Sequence, residues 1–298
     1  VREALDFENL PAFINFLNRA TNVLRQPADF TDLVLTIAER SAAQNIRYRE
    51  LTFSYGYYDD AVDWEDVIAG LAEGRRRAAE EYGVEINFVA GLVRTNDPER
   101  TTAIVERAND SRDRAGITTI GMGGKEGGHP AHRHEPAYRR ARELDFHRIA
   151  HAGEAVGPAS VWDALCSLDI ERIDHGVRAI EDDILLDYLA KEEIPLTVCP
   201  ISNVELDIYE EMRDHPIVAL MKAGVPVSIN ADDPALFEAT LVDNYRAVAD
   251  TFDLGPGDIK RLARNSFEHS FLAETDYEQC LRDLDRVSTE LRDEYVAT

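Results

Sequence analysis

Short apolar segments of strand length alternate along the chain with longer segments whose apolar residues recur every three to four positions. The first pattern predicts buried strands and the second predicts amphipathic helices. The predicted strands are Arg47 to Phe53, Val84 to Val93, Thr118 to Met122, Arg148 to Ala152, Arg172 to His175, Leu196 to Cys199 and Val225 to Asn230. The predicted helices include Asp63 to Tyr82, Asp97 to Ala115, Pro136 to Glu143, Ala159 to Ser167, Asp182 to Lys191 and His215 to Ala223. Because strands and helices alternate strictly, we expect parallel strands connected by crossover helices.

The second predicted strand contains Ile-Asn-Phe-Val-Ala-Gly-Leu-Val, a run that is typical of a sheet covered on both sides. A closed TIM-type (β/α)8 barrel and an open doubly wound sheet both have such strands. Neither G-x-G-x-x-G nor a P-loop follows the early strands, whereas polar residues stand at several strand ends, where barrel active sites form. We therefore expect an α/β fold of the TIM-type barrel class. Only seven strands can be counted, so its first strand and helix are expected to be missing.

Length and composition indicate one large domain over residues 1–298, because 298 residues with 44% apolar content can bury a substantial core. The cysteines Cys166, Cys199 and Cys280 are scattered and odd in number, which favours a reducing compartment. We expect a cytoplasmic protein without membrane contact, since neither a secretory signal nor an apolar run of membrane-spanning length is found. The sequence does not indicate an oligomeric state.

The formal net charge of -25 argues against a nucleic-acid partner, because phosphate binding requires clustered basic residues. Only four of the 32 basic residues are lysines, namely Lys125, Lys191, Lys222 and Lys260. This composition is consistent with a salt-adapted proteome, and equally with a solvated acidic surface in a genome biased toward arginine codons.

Three predicted strands end in groups that can bind a metal or transfer a proton. His151 and Glu154 end one of them, His175 ends the next, and the adjacent Asp232 and Asp233 follow the last. Each element alone has an ordinary structural explanation, such as a hydrogen-bonded histidine or a helix cap. Their joint occurrence at three strand ends predicts a hydrolytic metal site with an activated water, a base and an acid.

The motifs His-Ala-Gly-Glu at 151–154, Arg-Ile-Asp-His-Gly at 172–176, Cys-Pro-Ile-Ser-Asn at 199–203 and Asn-Ala-Asp-Asp-Pro at 230–234 occur in one order across residues 7 to about 275. In this order they resemble the adenosine and adenine deaminase family of the metal-dependent amidohydrolase superfamily. The resemblance implies one zinc ion per subunit, a small-molecule purine substrate, and hydrolytic replacement of the 6-amino group by oxygen with release of ammonia.

The resemblance also assigns a role to each matching residue. His151 and Asp232 would ligate zinc, Glu154 would protonate purine N1, and His175 would orient the attacking water. For substrate binding, Asp233 would accept a hydrogen bond near N7, and the backbone amide of Gly124 would meet the purine ring. Lys125 departs from the family, which usually has an acidic or small residue there.

A second departure concerns the metal ligands. The family begins with a strand bearing His-x-His, but this chain has no histidine before His129, so two of four expected protein ligands are absent. Truncation, an incomplete gene model and an N-terminal segment outside this sequence are three explanations. His132-Arg133-His134 has the spacing of the lost pair, but it lies in a polar loop, and we expect that loop to be solvated or to face the purine.

Three functions are compatible with the sequence: a zinc-dependent deaminase of adenosine, adenine or another 6-aminopurine; a metal-free purine-binding paralogue or inactive form; and an amidohydrolase acting on another cyclic amidine. Glu154 and His175 favour the first, because mere binding requires neither. The aromatic run from Phe53 to Tyr58 could line the pocket or only pack. His147, His215 and His269 are interpreted as residues at the ends of strands or helices without a functional role.

Overall fold

The computed structural model describes residue 7, residues 9–58 and residues 61–297. The strands are β1 (Tyr48–Phe53), β2 (Glu85–Val93), β3 (Ile117–Gly123), β4 (His147–Ala152), β5 (Arg172–His175), β6 (Leu196–Val198) and β7 (Val227–Ile229). The helices are α1 (Leu10–Ala20), α2 (Pro27–Ala42), α3 (Trp64–Arg77), α4 (Pro98–Ala115), α5 (Glu135–Glu143), α6 (Pro158–Leu168), α7 (Asp183–Lys191), α8 (Pro200–Glu205), α9 (Ile217–Lys222), α10 (Leu241–Phe252), α11 (Pro256–Glu268) and α12 (Glu274–Ala297).

The seven strands form one parallel sheet in the order in which they occur along the chain. Each strand pairs with the next, and within the described residues no pairing joins β7 back to β1. This arrangement matches a TIM-type barrel that lacks one strand, so the predicted fold class and all seven predicted strands are confirmed. The observed strand ends lie within two residues of the predicted ones.

The core lies between the sheet and the crossover helices, which supply its apolar faces. β2 is buried at every position from Phe88 to Val93, because side chains on both faces of the strand meet packed neighbours. α3 packs on α2 so closely that a Cβ atom at Gly70 would stand 2.3 Å from the carbonyl oxygen of Pro27. The predicted helix from Asp63 to Tyr82 is present, and its last five residues form a π-helical turn that ends at Gly83.

α1 and the segment before it contact the C-terminal face of the sheet through a separate apolar cluster. Phe7, Leu10 and Phe13 pack there against Leu206, and the ring of Phe13 stacks on that of Phe237 at 5.0 Å. These partners follow β6 and β7, so α1 covers loops that leave the functional end of the strands. Among the described helices, none is both long enough and apolar enough to cross a membrane.

Candidate active site

The register of the sheet places one polar row across four neighbouring strands. His151 in β4 lies opposite Asp174 in β5, which lies opposite Thr197 in β6 and then Ser228 in β7. Thr197 Oγ1 donates a hydrogen bond of 2.7 Å to Asp174 Oδ1, and His151 Nδ1 lies 3.2 Å from the other carboxylate oxygen. The row thus brings an imidazole and a carboxylate together inside the barrel.

Charges within and beside this row shift the pKa values of His151 and Asp174 in opposite directions. Burial alone would raise the pKa of Asp174, but the positive charges of His151 and Arg172 and the hydrogen bond from Thr197 hold it well below its usual range. Burial likewise opposes protonation of His151, yet the nearby Asp174 carboxylate outweighs it and raises the pKa of His151 to about 9. The pair is therefore a strongly coupled acid and base.

His175 ends β5 and faces two acids. Its Nε2 lies 3.7 Å from Glu154 Oε1 and 3.9 Å from Asp232 Oδ2, and its ring centroid is 5.0 Å from that of His151. The backbone of His175 has φ of 62° and that of Asp232 has φ of 55°, in the left-handed region that favours glycine. Such conformations cost about 1–3 kcal/mol each and often occur at functional sites.

Glu154 is a buried acid and Asp233 is a half-buried one, and the pKa values of both are raised. Burial raises the pKa of Glu154, and the charges of His175 and His151 offset only part of that rise. Burial also raises the pKa of Asp233 to about 8, together with the charge of its neighbour Asp232. The surroundings of both carboxyl groups thus oppose their ionisation.

Glu126 fixes the loop that carries Glu154. Its carboxylate accepts backbone hydrogen bonds of 2.7 Å from Gly153, 2.8 Å from Ala155 and 2.7 Å from Val156, and a further one from the hydroxyl of Ser160. Glu126 is only 5% exposed. Because these bonds flank Glu154 on both sides, they restrict where its carboxyl group can lie.

Arg94 holds the other end of the same loop. Its guanidinium donates to the carbonyl oxygens of His151 and, at 3.2 Å, His129. The side chain is fully buried, and desolvation lowers the pKa of Arg94 while the charges of Glu126 and Glu154 oppose that change. Arg94 and Glu126 thus position residues 151 to 156 from opposite sides.

Gly124 lies in a left-handed conformation, with φ of 98°, where a Cβ atom would stand 2.9 Å from the hydroxyl oxygen of Tyr57. Burial raises the pKa of Tyr57 to about 12, and the charge of Asp233 adds to this rise. Tyr57 therefore contacts Gly124 and lies within electrostatic range of Asp233, the two residues that the sequence assigns to substrate binding. Within the same aromatic run, Tyr55 and Tyr58 instead pack in the hydrophobic core.

The three histidines of the polar loop are placed apart from this cluster. His134 is fully buried and uses Nε2 on the carbonyl of Arg94 and Nδ1 on the hydroxyl of Thr101. His132 pairs with Asp163 at 2.9 Å, and His129 lies beside the carbonyl of Gly127. Each of the three imidazole rings thus has a hydrogen-bonding partner within the protein. His134 is buried, whereas the sequence predicts a loop that is solvated or faces the purine.

Side chains of the types that bind zinc converge at this face. Ligand atoms of His175, Cys199 and Asp232 all lie within 4.8 Å of one another, and the ring of His151 lies beside that of His175 with Nδ1 facing Asp174. Imidazole, thiol and carboxylate are the ligand types of zinc. A divalent cation would also compensate the buried negative charge of the neighbouring acids. The two His-x-His ligands expected from the resemblance have no counterpart among the histidines of this chain.

The six residues predicted from sequence divide into two neighbouring groups. His151, Glu154, His175 and Asp232 form the cluster around the imidazoles, with Asp233 interacting with Asp232, while Gly124 lies beside Tyr57. The sequence analysis does not identify Asp174, Glu126, Arg94 or Asn203 as functional residues, whereas Tyr57 belongs to the aromatic run that it names as a possible pocket lining. Asp174 and Asn203 stand inside the motifs at 172–176 and 199–203, so a polar residue within a motif is the available signal for them.

A parallel barrel sheet with imidazoles and carboxylates at its C-terminal end is typical of hydrolases of the amidohydrolase class. The adenosine deaminase family model matches residues 1–287, and the chain belongs to that family.

Its relatives include an adenine deaminase of Cupriavidus metallidurans, 37% identical over 286 residues that cover 96% of this chain and 80% of the relative. The crystal structure of an adenine deaminase from Arthrobacter aurescens superimposes with a TM-score of 0.93 at 31% identity, covering 97% of this chain and 88% of that one. A zinc-bound amidohydrolase from Burkholderia ambifaria has the same fold, with a TM-score of 0.87 at 23% identity over 92% of this chain and 77% of that one. The chain is thus a hydrolase that deaminates a purine.

Proposed function

We propose that this protein is a zinc-dependent deaminase of a 6-aminopurine, with free adenine as the preferred substrate over adenosine. The reaction adds water at C6 and releases the amino group as ammonia, which converts adenine to hypoxanthine. The observation that carries this proposal is the convergence of two acids on one imidazole, because Glu154 Oε1 and Asp232 Oδ2 lie 3.7 and 3.9 Å from Nε2 of His175. Hydrolysis of an amidine requires an acid, an oriented water and a charge-stabilising group, and these three residues can supply them.

Glu154 is suited to deliver a proton to N1 of the ring, because burial raises its pKa and so favours the protonated acid. His175 lies next to it, where its Nε2 can direct a water molecule toward C6. Asp232 and His151 would hold the zinc ion, and Ser202 fixes Asp232 with a hydrogen bond of 2.7 Å to Oδ2. When bound, zinc supplies Lewis-acid activation of water.

Gly124 and Asp233 would bind the purine itself. The absence of a side chain at Gly124 lets the Tyr57 hydroxyl approach the backbone closely, and the left-handed conformation of Gly124 would present its amide to the purine ring. A protonated Asp233, which its raised pKa favours, would donate a hydrogen bond to an unprotonated ring nitrogen. This role differs from the accepting role that the resemblance implies for an ionised carboxylate.

The charges around the adjoining cavity favour a purine without a phosphate group over a nucleotide. A cavity of about 330 Å³ opens beside Glu154, and its lining includes Arg178, Glu181 and Asp207. Arg178 donates to both carboxylate oxygens of Glu181 at 2.7 and 3.1 Å, so its charge is already neutralised. A phosphate placed there would meet acids, which disfavours nucleotides. The names of the relatives favour adenine over adenosine.

Elemental analysis together with an absorbance assay tests this function. We expect near-stoichiometric zinc in the purified chain, and ammonia release with adenine that exceeds that with adenosine and adenosine monophosphate. Asp232→Ala should lose both zinc and turnover, because it removes a ligand and leaves Ser202 without its acceptor. Zinc content that is unchanged in this variant would refute the ligand role. A zinc-loaded wild type that is inactive toward every aminopurine would refute the function.

A further inference from the structure

A chain of hydrogen bonds runs from the start of α9 to His175. The backbone N–H of Ile217 lies 3.2 Å from Nδ1 of His215, and Nε2 of His215 lies 3.1 Å from Oδ1 of Asn203. The amide nitrogen of Asn203 then lies 3.2 Å from Nδ1 of His175. His215, Asn203 and His175 are at most 2% exposed. Water therefore has little access to replace any of these bonds.

The direction of the chain is set at its first member, because a backbone N–H can only donate. His215 must accept at Nδ1, so its neutral ring carries the proton on Nε2 and donates it to Asn203. The oxygen of Asn203 therefore faces His215, and its NH2 group faces His175. Burial lowers the pKa of His215 to about 3, which keeps its ring neutral.

We propose that Asn203 and His215 are positioning residues that keep Nδ1 of His175 unprotonated and its ring proton on Nε2, and thereby make it a hydrogen-bond donor in the active site. The NH2 group of Asn203 requires an acceptor at Nδ1, so the remaining ring proton must occupy Nε2. That nitrogen is the one that faces Glu154 and Asp232. Its N–H can donate to a water oxygen or to a carboxylate.

This tautomer separates two roles that the geometry alone would allow for His175. The ring lies among possible metal ligands. A neutral imidazole binds a metal only through an unprotonated nitrogen, however, and Nδ1 is already occupied by Asn203. His175 therefore acts as a donor that orients a reacting oxygen and is not a zinc ligand. The catalytic part of this inference rests on the proposed deaminase function, whereas the tautomer does not.

Imidazole ¹⁵N chemical shifts of the full chain, labelled at histidine, report the tautomer directly and need no turnover. We expect the Nε2–H pattern for His175 at neutral pH. His134 is an internal reference in the same spectrum, because the carbonyl of Arg94 can only accept and so fixes its proton on Nε2. His175 with its proton on Nδ1 in the wild type would overturn the proposal.

Asn203→Asp is the decisive variant, because a carboxylate of the same shape accepts from both rings. It should protonate His175 at Nδ1, leave His134 unchanged and lower kcat by roughly 10²-fold, as expected for loss of one oriented donor. KM should change far less, because the donor acts mainly in the transition state. An unchanged His175 signal, or an equal loss in kcat and in affinity, would contradict the positioning role.

Two further variants keep the test informative if Asn203→Asp folds poorly. His215→Phe removes the ring that orients Asn203, so His175 should show a mixture of tautomers. Asn244→Asp is the matched control, since Asn244 is 1% exposed and bonds the backbone of Ile201 and Thr240. It should leave the His175 signal as in the wild type. A wild type with the Nε2–H signal but without aminopurine turnover would refute the proposed function and leave the tautomer assigned.

Discussion

Glu154→Gln tests the proton-donor assignment with the smallest possible change. Glutamine has the size of glutamate and can form hydrogen bonds, but its amide cannot deliver a proton to the purine ring. Glu154 is 3% exposed, so solvent has little access to substitute for it as an acid. The variant therefore removes proton transfer and leaves the packing of the site nearly unchanged.

The expected loss follows from the contribution of a positioned general acid. Such groups accelerate proton transfer by about 10²–10⁴-fold, which corresponds to about 3–5 kcal/mol of transition-state stabilisation. Because the carboxyl lies in a fully formed pocket next to His175, we expect a loss in the middle of this range, about 10³-fold in kcat. KM should change little, since the amide can still contact the ring.

The free energy of unfolding of Glu154→Gln should not fall together with its kcat. Burial raises the folded-state pKa of Glu154 above its unfolded value. Its contribution to stability is therefore complete at low pH and is lost as the pH rises through the folded-state pKa. A neutral amide avoids that loss, so Glu154→Gln should be at least as stable as the wild type at neutral pH.

The assay combines ammonia release from adenine, zinc content and urea denaturation on the same preparations. Glu171→Gln is the matched control, because Glu171 accepts from the backbone of Arg148 and from His147 at the opposite end of β4. Its kcat should equal that of the wild type. Near-normal turnover in Glu154→Gln, with zinc and stability unchanged, would refute the assignment of Glu154 as proton donor.

Two further variants test the supports of the site and of the barrel. Glu126→Gln replaces one acceptor oxygen by a donor facing the amides of residues 153 to 156, so we expect kcat to fall by about 10²-fold through misplacement of Glu154. Hydrogen exchange of this segment should rise, and protection equal to that of Glu171→Gln would show that Glu126 is dispensable. Glu50→Gln leaves the buried Arg172 without its charged partner and should lower the free energy of unfolding by about 3 kcal/mol. Denaturant titration checks this, and a loss below about 1 kcal/mol would place the pair among weak surface ion pairs.

The fold was predictable because its signal is periodic. β2 and β3 are apolar on both faces, and the helices between strands repeat their apolar residues every three to four positions. The same logic located His151, His175 and Asp232, because parallel strands bring their C-terminal ends to one face. The hydrophobic pattern therefore identifies the alternation of strands and helices, and the polar residues at strand ends identify the barrel and the end at which chemistry occurs.

The prediction did not include α1, α2 or the aromatic contacts of Phe13 with Phe237. α1 has helical spacing, but its apolar face covers loops and not a strand, so no alternation with a strand marks it. Likewise, Tyr55 and Tyr57 are two residues apart in one aromatic run, yet one packs in the core and the other lies beside Gly124. Such differences arise from loop geometry, which carries no periodic signal.

The protonation pattern of the site depends on contacts that no single motif contains. His175 was recognised from its own motif, but the position of its proton follows from Asn203 in α8 and from His215 before α9. His215 in turn is fixed by the amide of Ile217, a group present at nearly every position of any chain. The sequence therefore indicates which residue types meet at the strand ends. Whether His175 donates or accepts is determined by the direction of hydrogen bonds that only the folded backbone sets.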